Sequence, residues 1–439
     1  MKQTCVRSAA LLLTLVLIFT TTGCEQLLAE LPFLGSTPAK PLPTATPEVT
    51  PTAVPLETET PPLAEQDLNE ITIWLPPDLD PENGSPEGRL FRQQLQAFST
   101  ENPEITVNVR IKALSGAGGL LDALGTASLA APAVVPGLLI LPHTDLETAV
   151  NSGLITPIEV ENNPALGVEP FTFAKEMARA HDLNYGLPFA ADALCMAYKS
   201  QQVVYPPLSW QEVIQLKKVL AFPASEPLGS TTLLLYMNRG GDFTQNELQI
   251  SLDEVALQQT LMFLAEGANS DVFPYWLTDY TTFDESWQAV KDSRATYAII
   301  KASQYLSELP ENTAITSLPS FDEESLTLAE GWVLAFPQTA PERLSLYLQL
   351  AAYLVDPEFQ AAWTETAGLL PVSSAALTSW ENSEVSGILL EIAESARLAP
   401  SNQIVDRVGP LFTQATSEML RKQTTYIESS NKIIKALAE

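Results

Sequence analysis

Between Ile71 and Glu147 the apolar residues switch repeatedly between strand and helix spacing, and this alternation limits the possible folds more than any other feature. Ile71-Thr-Ile-Trp-Leu75 is spaced as a strand and stops at Pro76-Pro77-Asp78. Phe91, Leu95 and Phe98 fall on one helical face of the segment from Gly88 to Ser99, which Asn102-Pro103 ends. Residues Ile105 to Ile111 alternate as a half-buried strand does. A helix from about Leu120 to Leu129, a buried strand from Leu138 to Leu141, and a helix opened by the capping pattern Thr144-Asp-Leu-Glu147 follow. Strand and helix in strict turn predict an α/β lobe with a largely parallel sheet.

A second unit is expected beyond the stretch from Tyr185 to Ser200. Gly186 and Pro188 suit a bend more than a strand interior, and Ala193 to Tyr198 is an apolar run of strand length. Asp192 stands at the junction, where a carboxylate needs water, a partner or a ligand, because burying it unpaired is costly. The expected path leaves one lobe, bends at Gly186 to Pro188, and enters the other. Capping patterns recur at Ser209 to Glu212, Ser251 to Glu254 and Thr282 to Glu285, with Gly267 as a helix stop. Strands are predicted from Ala295 to Ile300 and from Trp332 to Phe336. A helix from Pro341 to Val355 breaks at Asp356-Pro357 and resumes from Glu358 to Ala367, and the end of the chain is mostly helical.

The first residues read as export signals. Lys2 and Arg7 precede an apolar run from Ala9 to Thr20, too short for a membrane span and of signal-peptide length. Thr21-Thr22-Gly23-Cys24 resembles the bacterial lipoprotein cleavage box, so residues 1–23 are taken as a leader and Cys24 as the lipidated first residue. Residues 24–67 form a linker in which prolines and threonines recur. Proline favours extended polyproline II, so this is a spacer able to reach roughly 100 Å. With Cys5 lost in the leader and Cys24 lipidated, Cys195 is left without a disulfide partner, and its apolar setting reads as packing.

Without leader and linker roughly 370 of the 439 residues remain, more than one core usually serves, so two lobes are expected. The formal net charge of −30 repels phosphate backbones and argues against nucleic-acid binding. Chemistry-bearing motifs are lacking: no HExxH, no CxxC pair, no GxxxxGKS/T and no GxSxG occurs, and Gly116-Ala-Gly118-Gly119 lacks the lysine of a phosphate cradle. No cofactor, metal site or catalytic residue is expected. Two carboxylates suffice for a glycosidase, and 53 acidic residues leave that reading open as an alternative. What stands out instead is aromatic residues beside bends and acids: Trp74 near Asp78, Tyr275-Trp276 after Pro274, and Trp332 after Glu330-Gly331. Flat aromatic faces pack on the CH faces of sugar rings, and carboxylates accept hydrogen bonds from hydroxyls.

Taken in order, these segments resemble the extracellular solute-binding proteins of ABC importers, in the carbohydrate-binding group that includes maltose-binding protein. The resemblance rests on Ile71-Thr-Ile-Trp74, on Leu95-Gln-Ala-Phe98 with Asn102-Pro103-Glu-Ile-Thr-Val107, and on Asn151-Ser-Gly-Leu-Ile-Thr-Pro157. It continues through Tyr185-Gly-Leu-Pro-Phe189, Ser209-Trp-Gln-Glu212, Glu330-Gly-Trp332-Val-Leu-Ala335 and Gly368-Leu-Leu-Pro371, and covers most of residues 70–378. It implies a two-lobed, type II periplasmic-binding-protein-like α/β fold, each lobe a mixed sheet flanked by helices with a cleft between. The lobes would be 68–188 with 332–377, and 189–331 with 378–439. The family's pocket Trp after the strand at 295–300 corresponds to Tyr305. The expected ligand contacts are therefore Trp74, His143, Asp192, Tyr275, Trp276, Tyr305, Glu330 and Trp332. The expected partners are a small solute, a sugar or oligosaccharide, and the permease subunits, with a lipid holding a monomeric receptor to the outer face of the cell membrane.

Overall fold

The structure, a computed structural model, describes residues 69–439 apart from 160–168, 247–248, 323 and 338–340. The leader, Cys24 and the linker lie outside the described residues. β1 (Glu70–Leu75), β2 (Thr106–Ile111) and β3 (Leu138–Pro142) alternate with the helices Pro86–Glu101, Leu120–Ala130 and His143–Asn151. Two short strands, β4 (Arg179–Ala180) and β5 (Leu183–Asn184), pair with each other and lead into β6 (Gly186–Lys199). β7 (Leu220–Ala221) is followed by the separate hairpin of β8 (Phe243–Asn246) and β9 (Gln249–Leu252). β10 (Tyr297–Lys301), β11 (Thr313–Thr316), β12 (Thr327–Ala335) and β13 (Ala396–Leu398) complete the strands. The main sheet runs β2-β1-β3-β12-β6-β10-β7, with β11 added to β6 and β13 to β12.

β1 is parallel to β2 and β3, as helical crossovers require, but β12 is antiparallel to both β3 and β6. The sheet is therefore mixed. Strand alternation sends Ile71, Ile73 and Leu75 into one core, with Phe91, Phe98, Tyr347 and Trp363, while Trp74 enters the other with Leu120 and Leu124. Each apolar side chain of this size stabilises by about 1.5–3 kcal/mol when buried. Among the described residues no helix is long and apolar enough to cross a membrane.

The expected bend at Gly186 to Pro188 is absent. One strand of 14 residues runs straight through, buried from Gly186 to Ala197. Its first half, Gly186 to Ala193, pairs with β12, and its second half pairs with β10 from Leu194 to Tyr198. The register slips between Trp332 and Val333, which face Ala190 and Pro188, so Phe189 is an extra residue. Such a bulge is where a sheet tolerates a proline, which has no N–H for the ladder. Gly186 serves close approach instead of turning the chain: a Cβ there would lie 2.5 Å from Val333 Cγ1 and 2.6 Å from the Leu334 carbonyl oxygen.

Local signals fared unevenly. Thr282 and Glu285 form the expected reciprocal cap, and Ser209 Oγ accepts from Glu212 N–H at 3.2 Å. The helix it opens, Trp210–Gln215, stops short of the expected Leu220 because Lys217 turns to a positive φ of 50°. Ser251 caps nothing; it lies in β9, and Asp253 two residues later accepts from Ala256 N–H at 2.8 Å. Thr144 lies inside a helix that already starts at His143, after Pro142. Gly267 does not stop its helix, which continues to Asn269; its missing side chain leaves room for the Phe273 ring. Cys195 is buried in the second half of β6.

Because the atoms facing Gly186 are a backbone carbonyl and a buried valine, Gly186→Ala forces the two long strands apart. Overpacking of this kind costs about 1–3 kcal/mol. The variant should melt at a clearly lower temperature by circular dichroism, and an unchanged midpoint would show that the strands yield freely.

Candidate ligand-binding cleft

A cleft of about 250 Å³ opens where β6 exchanges one partner strand for another. Its floor is Asp192, Ala193 and Leu194 from β6 and Leu328, Ala329 and Glu330 from β12. The start of the His143–Asn151 helix and the end of the Thr172–Met177 helix supply His143 and Met177 on one side. On the other side Ser230, Phe283 and Asn402 each open a helix, and Lys301 ends β10. The volume is near the lower end of ordinary ligand sites, about 300–1,000 Å³.

Asp192 and Glu330 face each other across the antiparallel register. Like charges directly opposite destabilise a sheet, so each carboxylate needs compensation. Asp192 is 7% exposed. Its Oδ1 accepts from Ala193 N–H at 2.9 Å and Ser303 N–H at 3.1 Å, and Oδ2 accepts from Ser303 Oγ–H at 2.5 Å. It thus satisfies the first turn of the Ala302–Leu306 helix from 111 residues away. Glu330 pairs with Lys301. Burial pushes the Asp192 carboxyl up to about 6; the Ser303 hydroxyl works against this, and the Glu330 charge adds to it. Burial opposes the charge on Lys301, yet Glu330, Asp192 and Asp284 together hold its ammonium above the ordinary lysine range.

His143 Nδ1 accepts from Gly331 N–H at 3.2 Å, which leaves Nε2 to carry the proton of the neutral ring. Burial lowers the pKa of this imidazole, against the pull of Glu330. The cleft therefore has a neutral imidazole, an internal Lys–Glu pair and a buried carboxylate close to its titration point.

Of the residues singled out in the sequence, His143, Asp192 and Glu330 come together here, and five do not line the cleft. Trp74 is 2% exposed in the core, with Lys112 Nζ 4.5 Å from its ring centroid. Trp332 is half-buried against the core of Phe91 and Trp363. Tyr305 is half-buried in the other core. Trp276 carries the Arg294 guanidinium 3.7 Å over one face and Tyr280 edge-on at 5.3 Å, so that face is taken; Tyr275 beside it is 68% exposed. Sequence reasoning missed Lys301, Ser303 and Phe283. Lys301 has a weak signal, a charge ending the apolar run from Tyr297 to Ile300, but nothing local connects it with Glu330.

A mixed sheet whose longest strand changes partners, with a cleft at that change, is an arrangement able to hold a small solute. A model of the bacterial extracellular solute-binding protein family matches residues 93–385, and the chain belongs to that family. No curated protein sequence matches it. Among solved structures, the cyclic alpha-maltosyl-1,6-maltose binding protein of Arthrobacter globiformis is similar at 13% identity and a TM-score of 0.68, over 84% of this chain and 97% of that one. The sugar-binding protein MalE of Xanthomonas citri aligns at 15% identity and 0.66, over 84% and 97%. The extracellular solute-binding protein of Staphylococcus aureus, solved in complex with maltose, aligns at 14% and 0.66, again over 84% and 97%. At such identities the likeness establishes the fold, the type II arrangement of the maltose-binding proteins.

Asp192 has a raised folded-state pKa, so the folded protein holds this proton more tightly than the unfolded chain. The resulting stability is present at acidic pH and is lost as pH rises from the ordinary value of 3.8 towards about 6. The difference corresponds to about 3 kcal/mol. In Asp192→Asn the amide oxygen can accept from both backbone N–H groups, and the amide nitrogen can donate to Ser303 Oγ. Melting curves between pH 4 and 7 should show the variant gaining on the wild type as pH rises; parallel curves would mean that Asp192 titrates normally.

Proposed function

We propose that this chain is the solute receptor of an ABC importer, capturing a carbohydrate or similar polar solute and delivering it to a permease. The observation that carries the reading is the cleft itself. Its floor is the pair of strands, β6 and β12, on which both parts of the sheet hang, and its walls come from both sides of that crossing. A solute touching both walls would favour a closed arrangement over an open one, which is capture by population shift. The lobes of this reading are 68–188 with 332–377 and 189–331 with 378–439. β6 itself changes partners five residues further on, after Ala193. Similar structures solved in complex with maltose or maltotetraose support a sugar as the solute class.

In this reading the protein binds and releases its solute unchanged, without a cofactor. The leader directs export, a lipid on Cys24 anchors the mature chain, and the proline-rich spacer holds a monomeric receptor clear of the membrane. Micromolar affinity corresponds to about −8 kcal/mol, within reach of a few desolvated contacts.

A thermal-shift panel of mono- and oligosaccharides tests the core of the proposal. At least one member should raise the melting temperature in a concentration-dependent way and be recovered intact by mass spectrometry. Steady turnover of a glycoside by the pure protein would establish an enzyme instead. The anchor is tested separately: Cys24→Ser should release the protein into the soluble fraction or block its processing, and unchanged membrane association would refute lipidation at that residue.

A further inference from the structure

β2 ends the main sheet on its side, and among the described residues no strand pairs with its outer edge. Thr106 N–H donates to the Asn69 carbonyl at 2.7 Å, and Lys112 N–H to the Leu75 carbonyl at 2.9 Å. The even-numbered residues of β2 therefore turn their backbone groups to β1, while Val107, Val109 and Ile111 turn theirs outward. Such an edge is a template for another strand, and proteins blunt it with proline, a bulge or repelling charges. Thr106–Ile111 contains no proline, and its register with β1 is unbroken from Glu70↔Thr106 to Leu75↔Ile111. Val107 and Val109 are half-buried, and Ile111 is 39% exposed although apolar.

The chain's own spacer is a poor match for this edge, because prolines recur through it from Pro32 to Pro62 and each lacks the N–H of a ladder. β2 itself is a good match. A two-fold axis through Asn108, perpendicular to the sheet, sets β2 antiparallel to β2 of a second copy. Val107 then faces Val109 of the other copy, and the two exchange both backbone bonds because both point outward. Ile111 comes opposite Ile105, whose N–H is already taken by the Asn102 carbonyl at 2.9 Å but whose carbonyl can accept. Thr106 comes opposite Arg110, and Glu104, in the turn before β2, comes beside Lys112, so the charges on the edge attract where they would otherwise repel. Neighbouring registers fit worse. An axis at Val107 puts Ile111 opposite Pro103, which has no N–H, and one at Val109 puts Glu104 beside Leu114 and Lys112 beside Thr106.

We infer that β2 is a docking edge for a second copy of this chain, the two strands pairing antiparallel about Asn108 so that their sheets become continuous. The contact is isologous, each copy offering the same strand. It is also short, so dilute chains stay monomeric and pair where copies are crowded. The cleft lies on β6 and β12, beyond β1 and β3 in the sheet order, and pairing leaves it open. The pairing does not depend on what the cleft binds.

Sedimentation velocity of the full chain over rising concentration should show a reversible dimer. Lys112→Glu and Glu104→Lys should each weaken it about tenfold or more by setting like charges side by side, and the double variant should restore it. Glu104 is exposed, so Glu104→Lys keeps the test valid if Lys112→Glu, taken off the Trp74 ring, lowers the melting temperature. Asn108→Cys tests the register. It lies on the axis in a non-hydrogen-bonded pair, with Cα atoms about 4.5 Å apart and within disulfide reach. Mild oxidation should give a 108–108 cross-link, identified by mass spectrometry, and Thr106→Cys should give none. A chain that is monomeric at every concentration and yields no 108–108 link overturns the inference. So does a dimer that both single charge variants leave intact, or one that Thr106→Cys cross-links as readily as Asn108→Cys. A link from Asn108→Cys to Cys24 of the same chain puts the spacer on the edge and overturns it as well.

Discussion

Everything in the described part of the chain depends on the antiparallel pairing of β6 with β12. Residues Gly186 to Ala193 lie against Ala335 to Ala329, and each strand then continues to other partners: β6 to β10 and β11, β12 to β3 and β13. Cutting this pairing would leave two sheets with no shared strand. Gly186, Ala190, Ala191, Ala193 and Gly331 let the backbones approach closely, while Leu187, Phe189, Trp332, Val333 and Leu334 send larger side chains from the seam into the flanking cores. Large side chains collect on either side of it, in the cores around Phe91 and Trp363 and around Trp210 and Phe263.

The charged residues follow from the same geometry. A seam of two strands that must stay in register leaves Asp192 and Glu330 opposite one another whatever their charge. The rest of the site is the answer to that conflict: Ser303 supplies a hydroxyl and a backbone N–H to the first, and Lys301 supplies an ammonium to the second. Both come from one short stretch at the end of β10, the strand that takes over β6 where β12 leaves it. The same turn of chain that compensates the carboxylates also forms part of the cleft.

Much of the fold was legible in the sequence because its signals are local. Ile71 to Leu75, the face of Phe91, Leu95 and Phe98, and the run from Leu138 to Leu141 each declare an element within a few residues, and their order declares the class. The reading failed where a residue answered to something distant. Gly186 and Pro188 read as punctuation because the strand that makes them useful, β12, lies more than 140 positions later; one fits its close approach and the other its bulge. Asp192 was visible as an anomaly in an apolar run, and so was the need for a partner, but Ser303 and Lys301 could not be found without the pairing. The aromatic residues were ambiguous for the opposite reason. Trp74 and Trp332 carry no mark that separates a core indole from one facing a ligand, and burial is decided by the neighbours they meet.

The extra residue at Phe189 carries one more consequence. Along β6, Leu187, Phe189 and Ala190 share one core, while Ala191 and Ala193 belong to the other. The simple alternation of a strand breaks between Phe189 and Ala190, and its parity is reversed for every residue that follows. Asp192 and Leu194, two positions apart on one strand, would otherwise stand together on the opposite face of the sheet, away from Ser303 and Lys301. The polarity of the cleft is thus written in a count of residues as much as in their identity. Deleting a single position upstream, with every acid and base retained, would turn the floor of the site inside out.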